Sequence, residues 1–330
     1  MSASALRLSD AAFIADLTPR ERSLWRTLAT LGAGVFGGFL VGLVVGLVAL
    51  VAFAAATGAF QGGLQDLPHR ITGLVDSDGD TLQSALVLLT LATATNGPMA
   101  ATFIGVAALF AGRRMLRYLT LAPVFRWRLL ASGLVLSFLT IGPIVAIGQL
   151  TDPHAARPPV LALASDWPTR IGYAAACIAL LIPAAAAEEV VFRGWLLRQS
   201  AVLTRNPLVL MAINGVVFSA VHGEFAPDPF LTRALMGAGF VYMTLRLGGV
   251  EFSTGAHAAN NILIVLFIQP LSLKPTPSTG MSADSLFQDV FLLASYVIMA
   301  EVVARWAPLR RWTGAGLADA AAGDVAGDFS

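Results

Sequence analysis

LGAGVFGGFLVGLVVGLVAL, residues 31–50, contains no charged side chain. A helix rises about 1.5 Å per residue, so about 20 apolar residues cross the roughly 30 Å hydrocarbon core of a bilayer. The stretch reads as a membrane-crossing helix. It lies within an apolar run at 28–56, and seven more follow at about 83–111, 129–150, 170–197, 207–223, 230–247, 250–269 and 285–306. The 330-residue chain as a whole agrees, with 56% hydrophobic residues, 12% charged residues and a mean hydropathy of +0.74. A soluble core cannot bury that much apolar surface, and a disordered chain does not carry it. The expected fold is all-α, a polytopic transmembrane helix bundle of about eight spans.

Basic residues orient the bundle. With the N-terminus inside, the inner segments carry sixteen basic residues, among them Arg20, Arg22, Arg26, Arg113, Arg114, Arg117, Arg126 and Arg128, with Arg7 near the chain start. The outer segments carry five: Arg70, Arg157, Arg170, Arg233 and Lys274. That bias predicts both termini on the cytoplasmic side. The N-terminal segment holds several charges before an apolar run too long for a signal core, so the first span is expected to remain in the mature protein. The near-exclusive use of arginine over lysine suggests a GC-rich coding sequence and a bacterial inner membrane. The expected division is a cytoplasmic segment 1–27, N-terminal helices 28–165, a catalytic core 166–270, a C-terminal helix 271–311 and a disordered tail 312–330.

Several functions are excluded or set aside. A net charge of +1 gives no basic field for nucleic acid. The single cysteine, Cys177, forms no intrachain disulfide and no cysteine metal site. Asp76, Asp78 and Asp80 alternate like a calcium loop, but Val87 stands where an EF-hand needs glutamate, so the segment reads as a solvated acidic turn. Gly34, Gly38, Gly42 and Gly46 share one helix face at a four-residue period. Such a face lets another helix approach closely. It is either a homodimer seam or, the favoured reading, a packing face within the bundle.

Ionisable groups inside a bilayer are expensive and mark candidate sites. The fourth run ends in Glu188-Glu189-Val190-Val191-Phe192-Arg193, the fifth holds Asn214, Phe218 and His222, and the seventh holds His257 and Asn261. Glu189 and Arg193 are one helical turn apart and can pair. Glu188 lies about 100° around the helix, free to face a hydrated cavity and act as general base toward water. Phe218 precedes His222 by one turn and can fix its ring. Asn261 follows His257 by one turn, so both point toward a common place. One carboxylate, two imidazoles and an amide converging between helices can activate water and stabilise an oxyanion.

In this order and spacing, Glu-Glu-x-x-x-Arg, Phe-x-x-x-His and His-x-x-x-Asn resemble the CPBP family, the CAAX-protease and bacteriocin-processing (Abi) intramembrane proteases. The resemblance covers about 170–265. It implies an intramembrane endopeptidase in which Glu188 is the base, His222 helps hold the water, and His257 and Asn261 stabilise the tetrahedral intermediate. Glu189, Arg193 and Phe218 would be supporting residues. It also implies a peptide or protein substrate at the membrane and no cofactor. The alternative by residue type is zinc held by Glu188, His222 and His257. No His-Glu-x-x-His motif or Gly-x-Ser-x-Gly elbow is present. A proton-coupled transporter built on the same Glu and His residues is the reading from another class, and the absence of internal repeats weighs against it. One tension remains in the run boundaries. They place Glu188 near the inner end of its span and His222 near the outer end of the next, roughly 15–20 Å apart in depth.

Overall fold

The computed structural model describes residues 8–61, 64–74, 79–273 and 280–317. Arg7, Asp76, Asp78, Lys274 and residues 318–330, on which part of the charge count, the acidic turn and most of the tail rest, lie outside the described residues. The described residues form an all-α bundle. Their one β contact is an isolated bridge between Thr120 and Gly249.

Each apolar run of the sequence has its own helix. We label them α1 (Leu24–Ala56), α2 (Leu82–Ala111), α3 (Trp127–Thr151), α4 (Trp167–Leu203), α5 (Pro207–Ala220), α6 (Pro227–Leu247), α7 (Glu251–Leu263) and α8 (Ala283–Arg305). Helix starts carry their own chemistry. The Asp166 carboxylate accepts from the Thr169 amide at 2.9 Å, and the Asn206 side chain accepts from the Leu208 amide at 3.0 Å. Five of the eight, α1 to α4 and α8, are long and apolar enough to cross a membrane, whereas α5 is apolar but shorter. The case of α7 shows why hydropathy fades toward the middle of the bundle. Every residue from Glu251 to Asn260 is buried by neighbouring helices. A helix that never meets lipid does not need an apolar surface.

The glycine face of α1 is occupied by α2 of the same chain. A side chain on Gly38 would begin 2.8 Å from the Met99 carbonyl oxygen, and one on Gly42 2.8 Å from that of Thr95. Within the chain, the glycine face is packed against α2. The other side of α1 exposes Phe36, Phe39, Val44 and Val48, as a lipid-facing surface does.

Glycine also seats α7 against α3. Cβ atoms on Gly133 and Gly255 would fall 2.2 Å from the Phe252 carbonyl oxygen and 2.1 Å from that of Leu130. The start of α7 is tied down by a bidentate pair, with Arg126 Nε 2.8 Å from Glu251 Oε1 and Nη2 2.7 Å from Oε2. Arg126 also donates to the Leu247 carbonyl at 2.8 Å. Gly248, at φ 67°, makes the left-handed turn that joins α6 to α7.

The depth tension disappears because α4 does not stop at residue 197. It continues to Leu203, so Glu188 stands 15 residues before the end of α4, and His222 stands 15 residues after Pro207 at the start of α5. At about 1.5 Å per residue each lies roughly 22 Å from the α4–α5 turn. The boundary was short by six residues, since the polar Arg198 and Gln199 masked a helix that runs on.

Arg198 is in fact fully buried. Its Nε lies 3.0 Å from Glu21 Oε1, and its Nη1 donates to the Phe13 carbonyl at 2.6 Å. Arg113 Nη2 lies 3.1 Å from Glu21 Oε2. Phe13 and Ile14 meanwhile pack into an apolar cluster with Leu197, Leu210 and Val241. The segment before α1 is thus clamped onto the bundle by one carboxylate between two guanidiniums. Burial alone would push the Glu21 carboxyl up, but Arg198 and Arg113 outweigh it and hold it below the ordinary carboxylate range. A lowered value makes the clamp fully stabilising above the unfolded glutamate range and costs stability as acid protonates it. The melting temperature of the purified protein is expected to stay level from neutral pH to about 5 and to fall below about 4.5. Glu21→Gln should lower the neutral value and flatten that acid limb. An acid limb unchanged in the variant removes Glu21 from the clamp.

Candidate active site

Four helices and the residues just beyond α5 bring the sequence motifs together. Immediately after Glu189, α4 passes through a π-helical segment, Val190–Leu196. Such a local widening often marks a functional stretch. Glu189 and Arg193 are both fully buried and paired, with Arg193 Nη1 2.9 Å from Glu189 Oε1. The guanidinium also donates to the Gly237 carbonyl on α6 at 3.2 Å, and it sits over the rings of Phe218 at 4.4 Å and Phe240 at 5.0 Å.

The predicted pair has a third member that the spacing did not reveal. Glu189 Oε1 lies 3.0 Å from Nδ1 of His257. A carboxylate can only accept, so Nδ1 carries the hydrogen and donates. In a neutral ring Nε2 is then an acceptor, and Nε2 lies 3.7 Å from Glu188 Oε2. His257 therefore stands between the two glutamates, hydrogen-bonded to Glu189 and facing Glu188 across 3.7 Å. Its ring stacks on Phe240 at 5.0 Å, meets Phe218 edge-on at 5.7 Å and is only 2% exposed. No feature of the sequence links residues 189 and 257, since only packing of α7 between α3 and α4 brings them together.

Glu188 faces a cavity, as its position around the helix predicts. The cavity measures about 420 Å³ and is lined by Glu188 and Phe192 of α4, His222 beyond α5, Gly34 of α1, and Asn96 and Phe103 of α2, among others. Most of the lining is apolar. Phe218 fixes His222 in two ways, by an edge-on ring contact at 4.9 Å and by its carbonyl oxygen, which accepts from Nδ1 at 2.7 Å. Neutral His222 thus also presents an acceptor nitrogen at its free side.

Asn261 departs from the expected convergence. It is half-buried one turn beyond His257, it does not line this cavity, and its side-chain amide makes no hydrogen bond to a described residue. His257 and Asn261 share a helix face, but neither lines the cavity, and only His257 reaches the glutamates. Asn96 is the residue the sequence reading missed. It lies in the middle of the second apolar run, and its only signal there is an amide in an apolar helix. Among the described residues no three His, Cys, Asp or Glu side chains are grouped to hold a metal ion.

Comparison with known proteins agrees with the motifs. Residues 170–263 match the family described as Type II CAAX prenyl endopeptidase Rce1-like. The resemblance holds over the stretch that contains all three motifs. The chain is 32% identical over 190 residues to a Bacillus subtilis (strain 168) protein named Uncharacterized protein YyaK, an overlap of 53% of this chain and 61% of that protein. No solved structure matches.

The two glutamates are expected to separate on substitution. Glu189→Gln leaves a buried guanidinium short of its counter-charge, a loss of about 3 kcal/mol in stability. Glu188 is 25% exposed at its side chain and has no such partner, so Glu188→Gln should leave the melting temperature in detergent unchanged. Equal destabilisation by both variants refutes the division.

Proposed function

We propose that the protein is an intramembrane endopeptidase that hydrolyses a peptide bond with water activated between Glu188 and His257. The observation that carries the reading is the 3.7 Å separation of Glu188 Oε2 from His257 Nε2 beside a membrane-embedded cavity. Direct hydrogen bonding is excluded at that length, and two acceptors face each other. A water molecule resolves the conflict. It donates one hydrogen to the carboxylate, whose Oε2 is buried without a hydrogen-bond partner, and the other to the imidazole nitrogen.

The chemistry follows from that placement. As the water oxygen attacks the scissile carbonyl carbon, its proton passes to Glu188, and the carbonyl π-electrons move onto oxygen to give a tetrahedral oxyanion. Collapse of the oxyanion expels the amine, which takes the proton back from Glu188. Glu189 holds the His257 ring in the required tautomer, the role that a carboxylate plays for histidine in other hydrolases. His222, fixed by Phe218, lies at the cavity wall and orders water there. Asn261 keeps its assignment as an oxyanion donor if substrate binding draws the end of α7 inward. The substrate is proposed to be a peptide or protein segment presented from the membrane, and the setting a bacterial inner membrane. No metal or cofactor is required.

Purified protein in detergent should cleave a reporter peptide with apolar flanks, and Glu188→Gln should lower turnover by at least about 100-fold. His257→Ala should fall by a similar factor. Prolonged treatment with a strong chelator should leave the rate unchanged. Loss on chelation with recovery on added zinc would move Glu188, His222 and His257 into ligand roles. Full activity in Glu188→Ala ends the proposal.

A further inference from the structure

The cavity raises a question of donors. A peptide substrate brings carbonyl oxygens that need N–H groups, yet the reactive side chains offer acceptors. Glu188 is acceptor-only when ionised, and His222 spends its Nδ1 hydrogen on the Phe218 carbonyl. His257 spends its own on Glu189. Among the residues that line the cavity, Asn96 supplies the side-chain amide N–H₂. It stands on α2 at the head of a stripe, Asn96, Met99, Ala100 and Phe103, spaced as one helical face turned to the cavity. Its amide makes no hydrogen bond to a described residue and is half-buried. An amide held in an apolar helix without a partner is costly unless something else occupies it.

We propose that Asn96 binds substrate by donating hydrogen bonds to a backbone carbonyl of the peptide lying between α2 and the α4–α5 wall, opposite Glu188. The inference rests on the endopeptidase reading and adds the residue that grips the chain. It also states the class of segment gripped. Neither lysine nor arginine lines the cavity, so no fixed cation receives a terminal carboxylate. The fitting occupant is the interior of an uncharged, apolar peptide in extended form. Its carbonyls lack intrachain partners, and Asn96 can satisfy one of them.

The test uses the full chain in detergent micelles. Asn96→Leu keeps the volume and removes the amide, while Asn96→Asp keeps the shape and removes the donors. Both should raise KM for an apolar-flanked peptide about tenfold, with kcat within about threefold of wild type, because a lost ground-state hydrogen bond weakens binding before it slows chemistry. Asn96→Gln should recover much of the loss. Binding is measured separately with a fluorescently labelled peptide of the same sequence on Glu188→Gln protein, which binds without cutting. The double variants Glu188→Gln/Asn96→Leu and Glu188→Gln/Asn96→Asp should bind about tenfold more weakly at an unchanged melting temperature. If wild type fails to cut but these binding differences hold, the catalytic reading falls and Asn96 stands. Wild-type KM and affinity in both Asn96 variants overturn the proposal, as does a loss confined to kcat. A Glu188→Gln protein that binds no peptide overturns it as well. If Asn96→Leu does not fold, the aspartate variant decides alone.

Discussion

One carboxylate oxygen organises the site. Glu189 Oε1 accepts from Arg193 at 2.9 Å and from His257 at 3.0 Å, so a single atom ties α4 to itself and to α7, while the same guanidinium reaches α6. In a bilayer interior such a group is tolerated only when its charge is matched. The match here runs through a fixed cation, a donor imidazole and aromatic faces over the guanidinium, while Glu189 Oε2 and Arg193 Nε are buried without a hydrogen-bond partner among the described residues. Removing any member leaves the others exposed to that cost. The functional consequence is a histidine held in one tautomer and one orientation, with its second nitrogen aimed at Glu188. Adjacent glutamates thus differ in setting: Glu189 is buried and paired, and Glu188 lines the cavity.

The fold's placement of α7 follows from the same economy. A helix that carries Glu251, His257 and two asparagines is a poor membrane span by composition, and it is surrounded. The Arg126–Glu251 pair fixes one end, and the Gly133–Gly255 crossing brings its backbone onto α3. Close approach of this kind replaces the hydrophobic driving force that is missing between helices in lipid. It also sets how far His257 projects toward α4.

Much of this was legible in the sequence, and the parts that were not share a cause. The apolar runs located the helices, and one-turn spacing gave the Glu189–Arg193 and Phe218–His222 contacts correctly, because both are local. The bond between Glu189 and His257 spans 68 residues of chain and has no periodic signature. The length of α4 was underestimated because buried Arg198 looks like the charged end of a span, when it is in fact paired with Glu21. Asn96 was overlooked for the opposite reason. It sits alone among apolar neighbours, with no partner at helical spacing to draw attention to it. Asn261 was grouped with His257 because they share a helix face, but His257 turns to the two glutamates and neither residue lines the cavity.

The glycine stripe of α1 connects the fold to the proposed grip on substrate. Asn96 can face Glu188 across a cavity of about 420 Å³ only if α2 is held at a fixed distance from α4. Along much of its length α2 is backed by α1, whose glycines meet the Met99 and Thr95 carbonyls without side chains between. Gly34 seats the Phe103 ring, which in turn meets Trp195 of α4 edge-on at 4.9 Å. A larger residue on that face would have to separate α1 from α2 or displace the Phe103 ring. The width of the cavity therefore depends on this glycine face, of which only Gly34 lines the cavity itself. A motif that in isolation suggests an interface between two copies instead gives one chain its cavity wall.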